Sequence, residues 1–485
     1  MVRLLTSLLF ALLFAGVAQA ATIALPQTGQ TKCYNASGGE IACAGTGQDG
    51  EIRAGVSWET PRFHSYYADT LTDILTGLMW TKNANAPAPP SLCAPGTTKT
   101  WTGALTYVKC LNDNKYLTFS DWRLPNILEL RSLTNAGSTY WLSSQGFTSL
   151  QEEYWSSTTY ATSTGSAMTF SYSFLDGKVR GWPKSNSLAV WPVRNDTERT
   201  ALISMPKTGQ TVSYAANDDG ALQKGAAWPS PRFSDNGNGT VTDNLSGLMW
   251  LQNADCFANN SWTDALAKAG NLADGDCSLS DESSPGDWRL PNIVEMASLV
   301  HWGQISFADW LNGQGFSGVR DAPYWTSTTY NPIKSQAWVL TSRGLYDSTI
   351  KTNSANNYLW PVRDVTVKDT DGDGIPDNID DDDDNDGLPD NIDPYPLIFN
   401  YQARIGGSYY WALSPAFNAA VGGNTIQAQD GNFPGEGTVS LVTTGSVKFV
   451  GGFDTLFNAI SGKTRLQGAL LLNKGTLVVQ GLEIY

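Results

Sequence analysis

The stretch Asp121-Trp122-Arg123-Leu124-Pro125-Asn126 returns unchanged at residues 287–292. Five other strings recur around it in the same order, at offsets between 166 and 180. They are Thr-Gly-Gln-Thr at 28–31 and 208–211, Pro-Arg-Phe at 61–63 and 231–233, Gly-Leu-Met-Trp at 77–80 and 247–250, Tyr-Trp with Ser-Thr-Thr-Tyr at 154–160 and 324–330, and Trp-Pro-Val-Arg at 191–194 and 360–363. Such self-similarity indicates a duplication. The chain therefore contains two copies of one domain, residues 22–197 and 202–366.

Local patterns within each copy predict short helices among many strands. Apolar residues recur at helical spacing over 101–111 and again over 262–269. A second helix should begin at each repeated Pro-Asn, because Asn126 with Glu129, and Asn292 with Glu295, have the spacing of a capping box. Residues 337–340, followed by a turn at Gly344, predict a hairpin. The expected fold class is α+β and rich in strands.

The ordered strings resemble the Lcl C-terminal domain family, which is named after a collagen-like bacterial adhesin. The resemblance extends over both copies, although the first has Ile74 where the second has Asn244. It implies a compact α+β fold related to C-type-lectin-like and formylglycine-generating-enzyme folds, and it implies an adhesin-like role. The reactive cysteines of formylglycine-generating enzymes are not expected here, because the cysteines of this chain fall into local pairs.

Residues 1–20 have the pattern of a secretory signal peptide, with Arg3, an apolar run over 4–17 and Ala-Gln-Ala at 18–20. No later stretch supplies the roughly 20 uninterrupted apolar residues that span a bilayer. We therefore expect an exported bacterial protein without a transmembrane segment, placed outside the cell, on its surface or in the periplasm.

Six cysteines form three locally spaced pairs, which is typical of disulfides in an oxidising compartment. The predicted disulfides are Cys33–Cys43, Cys93–Cys110 and Cys256–Cys277. Each would contribute roughly 3 kcal/mol in the chain-entropy model. A zinc site is a weaker alternative, because no pair has C-x-x-C spacing and the chain has only two His.

The segment 367–396 has the spacing of two calcium loops, with Asp at positions 1, 3, 5, 9 and 12, Gly at 6, and a backbone carbonyl at 7. The predicted Ca²⁺ ligands are Asp369, Asp371, Asp373, Ile375, Asp377 and Asp380 in the first loop, and Asp382, Asp384, Asp386, Leu388, Asp390 and Asp393 in the second. Because position 12 is aspartate rather than glutamate, the segment resembles thrombospondin type 3 repeats rather than EF-hands. The alternative is a solvated acidic linker.

Composition narrows the class of partner. Aromatic residues make up 11% of the 485, charged residues only 16%, and much of the net charge of −15 lies in twelve Asp of residues 369–393. No basic patch is present to neutralise phosphates, so nucleic acid is not an expected partner. Residues 397–485 have few charges and alternating apolar runs, which predict an all-β terminal module that weakly resembles a parallel β-helix from residue 416 onward.

The leading interpretation is a secreted or surface binding protein that recognises a glycan or another protein, and not an enzyme. His64 and His301 are not duplicated and have no recognisable catalytic partner. The duplicated tryptophans and the charged residues near 121–129 and 287–295 fit packing and helix capping better than a ligand site. If a glycan is bound, Tyr66, Tyr67 and Trp302 are the candidate contacts. A self-associating structural subunit and a polysaccharide-acting enzyme with paired carboxylates are the alternatives.

Overall fold

The computed structural model describes residues 23–364 and 402–485, apart from 89–91, 172–176, 259, 342–343, 356, 411 and 455–456. The chain forms two compact units, Met1–Val365 and Thr366–Tyr485. Both copies of the repeat belong to the first unit. The predicted signal peptide and the predicted calcium segment lie outside the described residues, so both stay predictions.

The first copy is built mainly from two small antiparallel sheets, of order β3-β4-β5-β9 and β6-β7-β8. Its strands are β1 (Cys33–Tyr34), β2 (Glu40–Ile41), β3 (Phe63–His64), β4 (Thr70–Asp73), β5 (Leu78–Thr81), β6 (Glu153–Thr159), β7 (Ser166–Ser171), β8 (Val179–Pro183) and β9 (Val193–Asn195). Its helices are α1 (Asp49–Ile52), α2 (Trp101–Asp113), α3 (Ile127–Arg131) and α4 (Trp141–Ser144).

The second copy repeats this arrangement, with sheets β10-β11-β12-β16 and β13-β14-β15. Its strands are β10 (Phe233–Asp235), β11 (Thr240–Asp243), β12 (Leu248–Leu251), β13 (Tyr324–Thr329), β14 (Gln336–Leu340), β15 (Tyr346–Ile350) and β16 (Val362–Asp364). Its helices are α5 (Asp219–Leu222), α6 (Trp262–Gly270), α7 (Ile293–Ser298) and α8 (Phe307–Asn312). The prediction of a β-rich α+β fold is confirmed, whereas its relation to lectin-like folds stays a prediction.

The predicted helices are present where the local sequence stabilises them. Helices α2 and α6 bury the apolar stripes and have Thr100 and Ser261 as side-chain N-caps. Helices α3 and α7 begin with complete capping boxes, in which Asn126 and Asn292 exchange hydrogen bonds with Glu129 and Glu295. The hairpin β14–β15 is also present. Helices α1, α4, α5 and α8 were not predicted, because elements of four to six residues are too short to show a period.

Two arms join the copies reciprocally. Arm 1 is residues 23–56 and contacts β13 of the second copy, and arm 2 is residues 203–226 and contacts β6 of the first. The Gln30 side chain donates to the Thr329 carbonyl at 3.0 Å and accepts from its N–H at 2.9 Å. Gln210 does the same with Thr159, at 2.9 Å in both directions. The repeated Thr-Gly-Gln-Thr string thus holds each copy to the other.

Two lysines, the buried Lys351 and the partly buried Lys184, strengthen these contacts. Lys351 donates to the Thr329 hydroxyl at 2.9 Å and to the Tyr34 carbonyl of arm 1 at 3.2 Å, and its ammonium lies 3.9 Å from the Trp262 ring centroid. Lys184 makes the equivalent hydrogen bond to Thr159 in the first copy. Burial lowers the pKa of Lys351 to about 7. Each ammonium therefore trades hydration for carbonyl or hydroxyl acceptors at the junction between the copies.

The core of the first unit is shared. One hydrophobic cluster includes Trp80 and Trp191 of the first copy together with Trp250 and Trp360 of the second. All four are fully buried, with their rings in aromatic contacts at about 5–6 Å. Burial of this kind favours one cooperative body over two independent domains.

Three disulfides brace the first unit, and they are the three that the cysteine spacing predicted. Their Cα atoms are 5.2 Å apart in Cys33–Cys43 and 5.8 Å apart in both Cys93–Cys110 and Cys256–Cys277. The first closes the hairpin β1–β2 within arm 1. Arm 2 has no corresponding cysteines, because arm 1 is longer by this hairpin.

The second unit consists largely of parallel strand pairs. Its strands are β17 (Ala403–Ile405), β18 (Ser408–Tyr410), β19 (Thr425–Gln429), β20 (Gly431–Leu441), β21 (Ser446–Phe453), β22 (Thr464–Leu472), β23 (Thr476–Gln480) and β24 (Leu482–Ile484). Strands β19, β21 and β23 pair in parallel, as do β20, β22 and β24. Parallel pairing is what a β-helix requires, and the β-helix assignment itself stays a prediction.

The prediction that residues 397–485 form an all-β module is wrong at residues 413–419. Residues 413–419 form helix α9 (Leu413–Ala419), which buries Leu413, Ala416 and Phe417. This 3–4 spacing places the three side chains on one helical face, and that face packs in the core of the unit beside Phe449. Residues 416–419, which had been assigned to the opening of the β-helix-like part, therefore lie in this helix.

The arm contact is testable by removing its amide. Gln30→Ala is expected to lower the free energy of unfolding by about 2–4 kcal/mol, because two buried hydrogen bonds are lost and polar groups at Thr329 lose their partner. Gln304→Ala, at an exposed position, serves as the control and should stay within about 0.5 kcal/mol of the native value. Urea denaturation of the three proteins measures the difference, and equal stabilities would contradict the role of the arm.

Candidate functional site

A chain of buried hydrogen bonds connects the repeated strings. In the second copy the first amide of α7, Ile293 N–H, donates to the Thr328 hydroxyl at 3.0 Å, and this hydroxyl donates to Asp49 at 2.7 Å. Thr28 of arm 1 donates to the same carboxylate oxygen at 2.7 Å. Gly50 follows Asp49 because a Cβ there would lie 2.3 Å from the Lys32 carbonyl oxygen. The buried carboxyl therefore joins arm, strand and helix.

The same chain exists in the first copy. Thr158 and Thr208 each donate to the Asp219 carboxylate at 2.7 Å, and Ile127 N–H donates to Thr158 at 3.1 Å. Burial raises the pKa of Asp49 and of Asp219 to about 6, against the effect of the threonine hydroxyls. Both carboxyls serve the junction between the copies.

The duplicated charged residues also serve the fold. Arg123 forms a two-pronged ion pair with Glu129, and Arg289 does so with Glu295 at 2.6 and 2.7 Å. The two glutamates are almost completely buried and also complete the capping boxes. This agrees with the structural interpretation of these residues, since both carboxylates are paired with arginine and also accept from the backbone of the capping box.

A second duplicated ion pair lies in the Pro-Arg-Phe strings. Arg62 pairs with Asp73 at 2.6–2.7 Å, and its guanidinium lies 4.8 Å from the Trp58 ring centroid. Arg232 repeats the arrangement in the second copy, with Asp243 at 3.2 Å. All four charged groups are buried. In each copy the arginine and the aspartate offset one another's charge, which reduces the desolvation free energy of burying them.

Neither histidine has the setting of a catalytic base. His301 packs between the Trp228 and Trp310 rings, and burial together with the nearby Arg232 lowers the pKa of His301 to about 4. His64 Nε2 donates a hydrogen bond to the Pro61 carbonyl at 3.0 Å. The predicted contact Trp302 is buried, at 5% exposure, so the expectation that it is exposed is wrong: it packs against Tyr346.

The best candidate for ligand contact is an exposed aromatic patch on the first copy, which we call the surface cluster: His64, Tyr66, Tyr67, Glu198 and Arg199. Tyr66 is 44% exposed and stacks on His64 at 5.6 Å. The Arg199 guanidinium lies 3.6 Å from the Tyr66 ring centroid, and the Tyr67 hydroxyl donates to Glu198 at 2.5 Å. The patch thus combines an open ring with both signs of charge.

The sequence strings and the geometry agree with one family. The model of the Lcl C-terminal domain matches residues 69–194 and 239–363, which together are more than half of the chain. The chain belongs to the Lcl C-terminal domain family. Membership in this family indicates a surface-associated, adhesin-like protein, and the disulfides are compatible with export. No curated protein matches the chain.

The matched ranges place the family domain relative to the arms. Residues 23–56 and 203–226 precede the two matched ranges, so both arms are additions to the part that the family model covers. The surface cluster lies at the edge of the first range, with Tyr66 and Tyr67 just before it and Arg199 just after it. The five residues of the surface cluster therefore lie outside the ranges that the family model matches.

The predicted calcium ligands, Asp369 to Asp393, lie outside the described residues. Within the described part, no three His, Cys, Asp or Glu side chains are grouped so that they could hold a metal ion. In the same part of the chain, every helix is too short or too polar to cross a bilayer.

Sequence reasoning missed the buried carboxyls. Asp49-Gly50 and Asp219-Gly220 are a duplicated dipeptide, and this was the signal that could have drawn attention to them. Their partners Thr328 and Thr158 lie 279 and 61 residues away in the sequence. A local sequence pattern does not predict a contact between residues that are so far apart in the sequence.

The raised pKa of Asp49 predicts a pH dependence of stability. A carboxyl with a folded pKa near 6 and an unfolded pKa near 4 stabilises the fold most below pH 4, and this stability is lost as the pH rises through 6. A pKa difference of about two units between the folded and unfolded states corresponds to about 3 kcal/mol of stability for one carboxyl. The Asp49→Asn variant mimics the neutral form, so its stability relative to the native chain should rise by about that amount between pH 4 and pH 7.

Urea denaturation at several pH values measures this relative stability. Asp321→Asn, at an exposed position, is the matched control and should show no such trend. A difference between Asp49→Asn and the native chain that stays constant with pH would contradict the assignment.

Proposed function

We propose that the chain is an exported adhesin-like binding protein whose surface cluster recognises a glycan. The observation that carries the proposal is Tyr66, an exposed ring held in place by Arg199 and His64. Sugar rings combine an apolar C–H face with hydroxyl edges, and an aromatic ring beside charged hydrogen-bonding groups complements both. Arg199 supplies donors at that ring, and Glu198, 3.9 Å from Arg199, supplies an acceptor next to it.

The rigidity of the first unit supports this role. Loops that recognise ligands work best on a scaffold that does not move, and the surface cluster lies on a body braced by exchanged arms and three disulfides. We propose binding rather than catalysis. All six cysteines are in disulfides, and both histidines contact groups that do not activate a nucleophile.

The glycan proposal is tested with Tyr66→Ala against a panel of neutral and acidic polysaccharides. The native chain is expected to bind at least one of them, and the variant should bind it about tenfold more weakly because the stacking ring is gone. Tyr140→Ala is the matched control, since Tyr140 is 66% exposed and is not one of the residues of the cluster. Binding that Tyr66→Ala leaves intact, or an absence of binding to the whole panel, would refute the proposal.

We also propose that residues 367–396 bind Ca²⁺ and stiffen the connection to the terminal module. The support is the sequence spacing, which repeats the pattern of a calcium loop twice. The neighbouring aspartate carboxylates of each loop repel one another until a cation neutralises their charge. Calorimetry of the full chain should give saturable Ca²⁺ binding at millimolar calcium. The double variant D373N and D386N should weaken it strongly, whereas D113N and D321N, outside the segment, should not. Equal affinities in the two variants would overturn the calcium assignment.

A self-associating structural subunit is the second candidate. It is favoured by β23, an edge strand of the terminal module in which Val478 and Val479 are 52% and 45% exposed. Exposed apolar edges of this kind tend to pair with other chains. Sedimentation at increasing concentration distinguishes the two candidates, since this one requires larger species without any added glycan.

A further inference from the structure

An apolar cavity of about 90 Å³ lies where the two copies meet. Its walls come from equivalent positions of the two copies, namely Leu128 with Val294 and Ile23 with Ile203. Arg131 and Lys207 also line it, and no acidic residue does among the described residues. The cavity is therefore lined mainly by apolar side chains, and the charged residues in its lining are both positive.

Two polar groups of this cavity are without ordinary partners. Arg131 donates one hydrogen bond, to the Gly177 carbonyl at 3.1 Å, and in the described part of the chain no carboxylate pairs with it. Its guanidinium lies 3.5 Å from the ring centroid of Tyr346, which comes from the other copy. Tyr346 is 2% exposed, and its buried hydroxyl has no hydrogen-bond partner among the described residues. A buried hydroxyl without a partner, such as that of Tyr346, costs stability unless a ligand pairs with it.

The repeat itself shows that the fold does not require this pair. Counted from the shared Pro-Asn, the second copy has Ala297 where the first has Arg131. In the sheets, Tyr346 pairs with Leu340 as Val179 pairs with Phe170, so the first copy has Val179 where the second has Tyr346. Each copy thus supplies one polar group at a position that is apolar in its counterpart. The two groups meet across the junction.

We propose that this cavity binds a small aliphatic carboxylate, with its chain between the apolar walls and its carboxylate on Arg131 and the Tyr346 hydroxyl. A guanidinium presents donors in the planar arrangement that a carboxylate accepts, and a phenol adds one more. On the scale where a 150 Å³ cavity holds the six carbons of benzene, 90 Å³ holds about four heavy atoms. This volume accommodates the three-carbon alkyl chain of butyrate when its carboxylate lies at Arg131, which is partly exposed. Butyrate is therefore the probe that fits.

This site differs from the surface cluster in residues and in ligand chemistry, so it does not depend on the proposed glycan function. Burial lowers the pKa of Arg131, and a bound anion would reverse that effect by pairing with the charge. Lys207 at the lining adds to the attraction for an anion. The ligand would bridge the two copies and stabilise their junction.

Calorimetric titration of the full chain with acetate, butyrate, 1-butanol and butylamine tests the site. Butyrate is expected to bind saturably with one site per chain. Acetate should bind about tenfold more weakly, because it lacks two buried methylene groups. Butanol should also be about tenfold weaker, because it cannot form charge-assisted hydrogen bonds, and butylamine should not bind. Equal affinity for butyrate and butanol, or no saturable binding of butyrate, overturns the proposal.

Variants locate the binding. Arg131→Met keeps the apolar stem and should abolish the preference for butyrate over butanol, while Arg320→Met, at an exposed position outside the cavity, should leave it unchanged. Tyr346→Phe removes only the hydroxyl and should weaken butyrate, not butanol. It decides the matter even if Arg131→Met fails to fold. Unchanged butyrate affinity in Tyr346→Phe or in folded Arg131→Met would place the ligand elsewhere.

Discussion

Two buried carboxyls, Asp49 and Asp219, hold the first unit together. Each accepts two threonine hydroxyls, one from its own arm and one from a strand of the other copy. In each copy the first helix amide donates to the strand threonine hydroxyl, which in turn donates to the carboxylate. Without the carboxylate, the threonine hydroxyl would have no acceptor for its own hydrogen. Since buried polar groups are expensive when unpaired, the arms cannot leave without exposing several such groups at once.

Reciprocal exchange changes what the duplication produces. Two tandem domains on a flexible linker would gain affinity through effective concentration alone. Here each copy lends an arm to the other, and their tryptophans share one core. The copies therefore move as one body, and any two ligand sites on it have a fixed separation and orientation.

The sequence predicted the features that depend on neighbouring residues. The capping boxes at Asn126 and Asn292, the helical stripes and the three disulfides all follow from short spacings. It did not predict that Gln30 would meet Thr329, because 299 residues separate the two. It also assigned residues 416–419 to the opening of a β-helix-like module, although they lie in a helix, since a short apolar run does not distinguish a buried helix from a strand.

The duplication also provides an internal control for function. Residues that both copies retain, such as the Arg–Glu pairs of the capping boxes, make the same structural contacts in both copies. Residues that differ at equivalent positions are free of that duty. Tyr66 corresponds to Asn236, and Arg131 to Ala297, yet the two copies have the same sheets and helices around them. Because the fold tolerates either residue at these positions, their chemistry is available for ligands, and the search for function belongs at the asymmetric positions of the repeat.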